Sequence, residues 1–333
     1  MRPHDRVDIA VVVPTFHRPA LLHSCLSALL SQTLPQHRFE IIVVDDGHDD
    51  VTRDCVLALS ALAPAPRIRY MRPATGRGPA VARNCGWRAT DAPLVAFTDD
   101  DTQPDPGWLR HGMAVLTQHP RWVAAAGQVW VPRHDMRMSR PPTDHELMTR
   151  GLESAEFVTA NAFVRRAALA AVDGFDERFR RAWREDSDLQ FRLQQLGTVG
   201  RVPLALVWHP VRPERWGVSL RQQRNVFYDA LLYRKHPQLY RQRVRPRPPW
   251  DYYAVVALSL LAVACAAASR PWAAVAACAA ALLLIVALAR RRLRSTSRAP
   301  EHVLEMLATS AAIPFLSVYW RLRGAWHFRT PFL

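Results

Sequence analysis

The sequence predicts an α/β fold with a mostly parallel β-sheet, followed by a C-terminal α-helical membrane region. Three observations lead to this prediction. Short apolar runs alternate with amphipathic helical patterns over residues 1–211. Acidic residues directly follow two of those runs, at strand ends where open α/β sheets bind ligands. Two nearly uncharged segments lie within residues 251–290, and each is close to the length that spans a bilayer.

The chain has 333 residues, a formal net charge of +15 and 44 basic residues, of which Lys235 is the only lysine. Its length suits one large α/β domain with an appendage. The charge fits a nucleic-acid binder, a protein on anionic lipid or a protein that handles phosphorylated substrates, and composition does not separate these classes. The five cysteines are widely spaced and include no Cys-x-x-Cys pair, which indicates a reducing compartment and argues against a structural zinc site.

The first part of the chain reads as strand–helix units. Each predicted strand is a short apolar run of the kind that a parallel sheet buries on both faces. Because parallel strands end at the same edge of a sheet, the acidic residues after the second and fourth strands are expected to lie close together. The predicted strands are residues 9–13, 40–44, 67–70 and 94–97, and the predicted helices are 19–30, 52–62 and a third that carries Arg83 and Asn84.

Three adjacent acids, Asp99, Asp100 and Asp101, follow the fourth strand. Alternate side chains at a strand end share a face, so Asp99 and Asp101 are expected to point one way and Asp100 the other. Two hard oxygen ligands that converge there suit Mg²⁺ or Mn²⁺ bound to a diphosphate. The alternative is a solvated acidic turn, since Asp and Pro are favoured in turns and the sequence continues TQPDPG.

Two common nucleotide-binding classes lack their motifs here. A dinucleotide-binding dehydrogenase needs a glycine-rich turn after its first strand, and residues 14–18 contain no glycine. The pair Gly76 and Gly78 comes two units later in the chain. A P-loop is also excluded, because no Gly-Lys-Ser/Thr sequence occurs.

A second group of elements completes the predicted α/β domain at residues 1–211. Residues 133–150 are polar and contain prolines, and such a long loop suits a mobile lid or an acceptor-binding segment. The last predicted helix begins with acidic residues, which helix caps and the helix dipole favour by themselves. The predicted helices are 109–118, 166–172 and 185–196, and the predicted strands are 123–131, 157–164 and 204–208.

Five short motifs occur in order along residues 7–210. They are VVPTF at 12–16, VVDDG at 43–47, ARNCG at 82–86, FTDDD at 97–101 and EDSDL at 185–189. Each motif is weak evidence alone, but the ordered set is specific. Together they closely resemble the family 2 glycosyltransferases, whose fold is GT-A, a Rossmann-like α/β arrangement.

The resemblance implies a nucleotide-diphosphate sugar donor and a divalent metal, Mn²⁺ or Mg²⁺. The ion would offset the charge that builds up on the departing diphosphate. His209, after the last strand, is either a further ligand, which would favour Mn²⁺, or a histidine packed at a strand end. The residues expected to bind the donor are Pro14, Thr15, Arg18, Asp45, Asp46, Arg83, Asn84, Asp99 and Asp100, and the expected metal ligands are Asp99, Asp101 and His209.

The resemblance also implies that Asp186 is the catalytic base, with Glu185 beside it. A positioned carboxylate that takes the proton of an acceptor hydroxyl contributes about 10²–10⁴-fold in rate. The expected outcome is a single displacement with inversion at the anomeric carbon. Processive relatives carry a Gln-x-x-Arg-Trp signature, and the nearest sequence here, RPERW at 212–216, lacks the glutamine. Transfer of one sugar is therefore preferred over polymerisation.

Residues 212–250 form a basic connector with a predicted helix at 219–233. This helix is expected to cover the acceptor site, to lie against lipid headgroups or to pack back on the domain. The segment 251–290 is predicted to be a transmembrane helical hairpin. Its flanks, 241–247 and 290–294, are both rich in arginine and are both expected on the cytoplasmic side. The protein is thus predicted to be a multi-pass cell-membrane protein with a cytoplasmic catalytic domain.

The region 300–333 is predicted to hold an amphipathic helix and a basic tail. Its helix, at about 303–320, contains Glu305 and Pro314 beside one apolar stripe. Spanning would place the basic tail outside, so a helix in the plane of the membrane interface is preferred. Its expected interfacial anchors are Tyr319, Trp320 and Trp326.

The leading hypothesis is a metal-assisted inverting glycosyltransferase that moves one sugar to a lipid-linked, glycan or other membrane-proximal acceptor, with membrane lipids but no nucleic acid as partners. One alternative is a polyprenyl-phosphate glycosyl synthase, whose ionised acceptor would need Asp186 less. Another is an arginine-rich protein that binds nucleic acid or anionic lipid and depends steeply on salt. A non-catalytic relative is disfavoured because all the acidic positions are present.

Overall fold

The computed structural model describes residues 7–62, 66–132 and 140–333. The chain divides into two compact units. The first unit comprises residues 1–132 and 150–211, and the second comprises 133–149 and 212–333. The predicted α/β architecture with a mostly parallel sheet is confirmed in the first unit, and the described part of the second unit is helical.

One mixed sheet of eight strands organises the described part of the first unit. The strands are β1 (Ile9–Thr15), β2 (Phe39–Asp45), β3 (Arg67–Met71), β4 (Leu94–Phe97), β5 (Gln103–Pro104), β6 (Trp122–Trp130), β7 (Ala162–Arg165) and β8 (Thr198–Trp208). Their order across the sheet is β3-β2-β1-β4-β7-β6-β8-β5. Strands β1 to β4 are parallel, and β7 runs antiparallel between β4 and β6. Since β8 pairs parallel with β6, strands β1, β2, β4 and β8 all end at the same edge.

Helices cover both faces of this sheet, as the β-branched strand sequences require. Alternate residues of β1 point to opposite faces. Val11 shares one core cluster with residues of α1 (Pro19–Leu30) and α2 (Asp50–Leu62), and Val12 shares another with residues of α3 (Pro79–Arg88) and α7 (Glu185–Leu196). Gly86 lets α3 approach the sheet closely, because a side chain there would collide with Val12. The helices of the first unit are α1 (Pro19–Leu30), α2 (Asp50–Leu62), α3 (Pro79–Arg88), α4 (Trp108–Gln118), α6 (Arg166–Ala171) and α7 (Glu185–Leu196).

Two predicted strands of the first unit differ from the structure. The strand predicted at 157–164 is wrong in its first half, where Thr159–Asn161 is a 3₁₀ turn. The buried Asn161 explains the turn, because its side-chain amide donates to the carbonyl oxygens of Gln128 and Ala205 and accepts from the Trp108 indole. The last strand, β8, begins earlier than predicted because it pairs with β6 through a bulged register. All five cysteines are free.

The predicted loop at 133–150 is corrected in part. Its residues 140–150 are described and include the helix α5 (Asp144–Arg150), whereas residues 133–139 lie outside the described chain. The helix predicted at 219–233 is also interrupted by a 3₁₀ turn at Gln223–Asn225. The remaining helices of the second unit are α8 (Val218–Gln222), α9 (Val226–Lys235), α10 (Pro237–Leu239), α11 (Trp250–Ala267), α12 (Pro271–Leu293) and α13 (Pro300–His327).

Three helices of the described chain, α11, α12 and α13, are long and apolar enough to cross a membrane. Asp251 and Arg291 form a 2.8 Å ion pair, which joins the start of α11 to the end of α12 and closes a hairpin. Arg292 donates hydrogen bonds to the hydroxyl groups of Thr309 and Ser310, so α13 contacts this same end of the hairpin. The helix α13 has 28 residues and is longer than the predicted segment.

Candidate active site

Several residues predicted to form the site lie at the carboxyl edge of the sheet. Thr15 is the last residue of β1, Asp45 is the last residue of β2, and Asp99 and His209 follow the ends of β4 and β8 closely. Because these strands end at one edge, side chains that are distant in the sequence become neighbours. The edge is therefore the candidate site.

A buried arginine joins two of the acidic motifs. Arg83, on α3, is 2% exposed and donates from Nη2 to Asp99 Oδ1 at 2.7 Å and from Nη1 to Glu185 Oε1 at 3.0 Å. Burial by itself lowers the pKa of Arg83, but Asp99 and Glu185 outweigh that effect and raise it. The guanidinium therefore stays charged and holds the start of α7 against the end of β4.

The two acids that begin α7 are Glu185 and Asp186, as predicted for the catalytic pair. Burial raises the pKa of both carboxyl groups, and the charge of Asp186 raises the pKa of Glu185 further. Arg184, directly before them, adopts a left-handed backbone conformation with φ 74°, which is strained for a side chain of this kind. This kink sets the direction in which α7 begins. A carboxylate with a raised pKa is a stronger base near neutral pH.

The three acids after β4 have different partners. Asp100 accepts hydrogen bonds from Thr15 Oγ1 at 2.8 Å and from Arg18 Nη1 at 3.1 Å, whereas Asp99 pairs with Arg83. Asp100 and Asp99 thus face different neighbours, as the alternation at a strand end predicts. Burial raises the pKa of Asp100 to about 6, and the charge of Arg18 opposes that rise. Asp100 orients Thr15 and Arg18, which are both predicted donor-binding residues.

The neighbouring acids Asp45 and Asp46 differ in how many of their carboxylate oxygens already accept hydrogen bonds. Asp45 is fully buried, and its carboxylate accepts the backbone N–H groups of Gly47 and Asp49 and the hydroxyl of Tyr70. Asp46 accepts the Gly78 N–H with one oxygen, while its Oδ1 is buried and has no hydrogen-bond partner among the described residues. Asp45 therefore shapes the loop after β2, and Asp46 has acceptor capacity to spare.

Asn84 serves the scaffold in this structure. Its amide donates to the carbonyl oxygen of Phe175 and to Glu177, and its Oδ1 accepts from the Trp87 indole and the Phe175 N–H. The side chain is 1% exposed. These hydrogen bonds occupy its polar atoms and tie α3 to the loop after α6. The role of Asn84 in binding the sugar diphosphate stays a prediction. Pro14, the remaining predicted member, is the partly buried penultimate residue of β1.

The predicted metal ligands are only partly brought together. His209 is 8% exposed, and its Nε2 lies 3.6 Å from Asp101 Oδ1, a separation that suits two ligands of one ion. Asp99 is turned to Arg83 instead. Across the ranges that the structure describes, no three His, Cys, Asp or Glu side chains are placed to hold a metal ion. Asp101 and His209 fit a divalent ion whose other ligands come from outside the protein, such as diphosphate oxygens.

An aromatic pair beside His209 was not identified from the sequence. Trp130 and Trp208 end β6 and β8, their ring centroids are 6.2 Å apart, and 48% and 38% of these residues are exposed. The backbone N–H of His209 donates to the Trp130 carbonyl oxygen, which fixes the pair next to the candidate metal ligands. These two large exposed rings form an apolar surface at the edge of the candidate site. The sequence shows only that each of these two strands ends in a tryptophan, and it does not indicate that the two rings meet.

Comparisons with known proteins find matching family models and a similar fold. The family model described as glycosyl transferase family 2 matches residues 10–172, and the model described as glycosyl transferase family group 2 matches residues 94–290. A mannosyltransferase from Pyrobaculum calidifontis, solved in complex with GDP-Man and Mn²⁺, has a similar fold. Its TM-score is 0.60 at 18% identity, over 94% of this chain and 88% of that one.

Curated relatives are similar over a large part of the chain. Validoxylamine A glucosyltransferase of Streptomyces hygroscopicus subsp. limoneus is 30% identical over 274 residues, which are 69% of this chain and 57% of that protein. Pre-mycofactocin glycosyltransferase of Mycobacterium tuberculosis is 30% identical over 218 residues, which are 62% of this chain and 43% of that protein. The chain spans 57% and 61% of the lengths of the two validoxylamine A glucosyltransferases that it matches.

Replacing the bridging arginine tests the site. Arg83→Gln leaves Glu185 buried beside Asp99 without a cation, and we expect the free energy of unfolding to fall by about 3–5 kcal/mol. Arg88→Gln is the matched control, because Arg88 lies on the same helix and pairs with an exposed acid. Urea denaturation of the full chain in detergent, followed by tryptophan fluorescence, measures both. Equal effects of the two substitutions would contradict the bridge.

Proposed function

Because the chain belongs to glycosyltransferase family 2, we propose that it transfers one sugar from a nucleotide-diphosphate sugar to an acceptor hydroxyl, with inversion at the anomeric carbon. The observation that carries this proposal is the Arg83 bridge. It brings the Glu185–Asp186 pair and the acids after β4 to one edge, where a base and a diphosphate site are both needed. A single displacement requires these two functions on opposite sides of the same sugar.

Binding of the nucleotide-sugar donor is proposed from polar groups that can still form hydrogen bonds. The buried Oδ1 of Asp46 is suited to accept an N–H of the base or a hydroxyl of the ribose. Thr15 and Arg18, both oriented by Asp100, lie at the end of β1 and line the same edge. Arg18 is partly exposed and can turn its remaining donors towards an anionic ligand.

A divalent ion would be held by Asp101 and His209, with Asp99 beside them. The similar mannosyltransferase was solved with Mn²⁺, and an imidazole ligand favours Mn²⁺ over Mg²⁺. When bound, such an ion neutralises charge that develops on the departing nucleoside diphosphate. The protein contributes the placement of these ligands at the ends of β4 and β8.

Asp186 is proposed as the base. Glu185 is held by Arg83, which leaves Asp186 as the acid at the start of α7 that does not pair with the bridge. The Asp186 carboxylate takes the proton of the acceptor hydroxyl as its oxygen bonds to the anomeric carbon. The bond from that carbon to the diphosphate oxygen breaks on the opposite face, and a nucleoside diphosphate leaves. The exposed Trp130 and Trp208 are suited to stack against a sugar ring or another flat apolar part of the acceptor.

The second unit supports a membrane-proximal acceptor. We propose that α11 and α12 span the membrane as a hairpin, with the arginines before α11 and at the end of α12 on the cytoplasmic side. The helix α13 contacts the arginine-rich end of this hairpin through Thr309 and Ser310. Its Glu305 also accepts the Gly217 N–H, just before α8 in the basic connector. Because α13 contacts both the connector and the arginine-rich end of the hairpin, we propose that α13 lies in the plane of the membrane interface.

Asp186→Asn tests the base. We expect transfer to slow by about 10²–10⁴-fold because the acceptor hydroxyl keeps its proton, while binding of the nucleoside diphosphate stays unchanged. In the unchanged enzyme the rate should fall as the pH drops through the raised pKa of the Glu185–Asp186 pair, since the base must be deprotonated. This acidic limb should disappear in the Asn variant.

The readout is release of nucleoside diphosphate at pH 5 to 9, with Asp173→Asn, at an exposed acid that pairs with Arg88, as the control. A nearly unchanged rate for Asp186→Asn would contradict the base. It would favour the alternative acceptor, a polyprenyl phosphate, which is already ionised and needs no base.

The metal ligands make a separate prediction. Asp101→Ala should lower transfer by about 10²-fold or more with either ion, because the diphosphate charge is then poorly compensated. His209→Asn should lower the rate with Mn²⁺ more than the rate with Mg²⁺, since an oxygen ligand replaces the imidazole. Asp91→Asn, at an exposed position, is the control. Full activity of Asp101→Ala in the presence of a chelator would contradict the proposed site.

A further inference from the structure

The second unit contains a buried arginine that the proposed reaction does not use. Arg321, near the end of α13, is 2% exposed. Its Nε and Nη1 are buried and have no hydrogen-bond partner in the described chain. A buried charge without a partner costs several kcal/mol, so a protein rarely keeps one without a use.

A second arginine lies on the same aromatic cluster. The cluster consists of Tyr233, Tyr240 and Phe332, whose ring centroids are 5.4 to 5.6 Å apart. The guanidinium of Arg321 lies 5.0 Å from the Phe332 ring centroid, and that of Arg241 lies 4.9 Å from the Tyr233 centroid. Arg241 Nη1 is also buried without a hydrogen-bond partner. Cation–π contacts are too weak to replace the lost hydration of two guanidinium groups.

The hydroxyl of Tyr253 completes the group. It is buried and has no hydrogen-bond partner among the described residues, and it lies within electrostatic range of Arg321 and Arg241. Guanidinium groups only donate hydrogen bonds, and a phenol readily donates one. Two guanidinium groups on one aromatic cluster and a phenol, all with unpartnered buried donors among the described residues, suit an oxyanion with several oxygen atoms, of which phosphate is the usual biological example.

Another buried arginine of the same unit shows the contrast. Arg292 donates to the hydroxyl groups of Thr309, Ser310 and Ser219 and to the Asp144 carboxylate at 2.8 Å. The fold therefore provides acceptors where an arginine has a structural role. Arg321 lacks such acceptors although it lies on the same helix as Thr309.

The location indicates where the oxyanion comes from. Tyr253 lies in the first turn of α11, two residues after Asp251, whose ion pair with Arg291 marks the arginine-rich end of the hairpin. In a membrane-spanning hairpin this end lies at the depth of the phosphate groups of the lipids. We propose that Arg321, Arg241 and Tyr253 bind the phosphate group of a membrane lipid. This site depends on the proposed membrane hairpin but not on sugar transfer.

Lipid binding by the full chain tests the proposal. The protein is purified in a neutral detergent, and its thermal unfolding midpoint is measured with added phosphatidylglycerol, phosphatidylcholine or inorganic phosphate. We expect phosphatidylglycerol to raise the midpoint and its effect to fall at least tenfold in apparent affinity in Arg321→Gln. Stabilisation by inorganic phosphate that is lost in the same variant would also support the site, with free phosphate as the source.

Arg323→Gln is the matched control, because Arg323 lies on the same helix and is exposed. It removes the same charge, so equal losses in the two variants would mean general attraction to anionic lipid and would overturn the site. Without lipid, Arg321→Gln should melt at or above the midpoint of the unchanged protein, since it removes an unpaired buried charge. A lower midpoint would mean that Arg321 is structural and would overturn the proposal. Tyr253→Phe, which removes only the hydroxyl, should weaken the lipid effect without changing the fold.

Discussion

The candidate site depends on one buried cation between two acidic segments. Arg83 contacts Asp99 and Glu185, which are 86 positions apart in the chain, and all three lie at the carboxyl edge of the sheet. Carboxylates so close together repel one another, and burial makes their repulsion stronger. The guanidinium offsets this repulsion without using Asp186 or Asp101. The bridge thus joins the start of α7 to the end of β4 through Glu185 and Asp99.

The acids of the edge differ in the hydrogen bonds that they make within the fold. Asp45 and Asp100 use their oxygens on the loop after β2 and on Thr15 and Arg18. Asp46 keeps a buried oxygen without a partner, and Asp101 faces His209. Burial of Asp45 and Asp100 costs little free energy, because their hydrogen bonds are made within the fold. The unpartnered oxygen of Asp46 becomes favourable only when a ligand supplies a hydrogen-bond donor.

The sequence predicted the strand–helix alternation and the edge at which the acids meet, because apolar periodicity and strand-end chemistry are local signals. It did not predict the antiparallel β7 or the turn at Thr159–Asn161, which depend on hydrogen bonds from Asn161 to distant strands. Asp99 was predicted to be a metal ligand beside Asp101 and His209, but it pairs with Arg83. That pairing also arises from tertiary packing. Likewise, periodicity alone could not reveal that Arg321 is buried without a partner.

The net charge of +15 has a structural context in this arrangement, since arginines flank the proposed hairpin and others pair with the acids of the first unit. The central claim is that the acids of the first unit surround one ion and one sugar donor. Crystals grown with Mn²⁺ and a nucleoside diphosphate would test it through the anomalous scattering of manganese. We predict a manganese peak about 2.2 Å from an Asp101 oxygen, with the diphosphate at the same edge of the sheet as Asp186. A manganese ion and a diphosphate bound away from this edge, with Asp186 in a different cleft, would contradict the account.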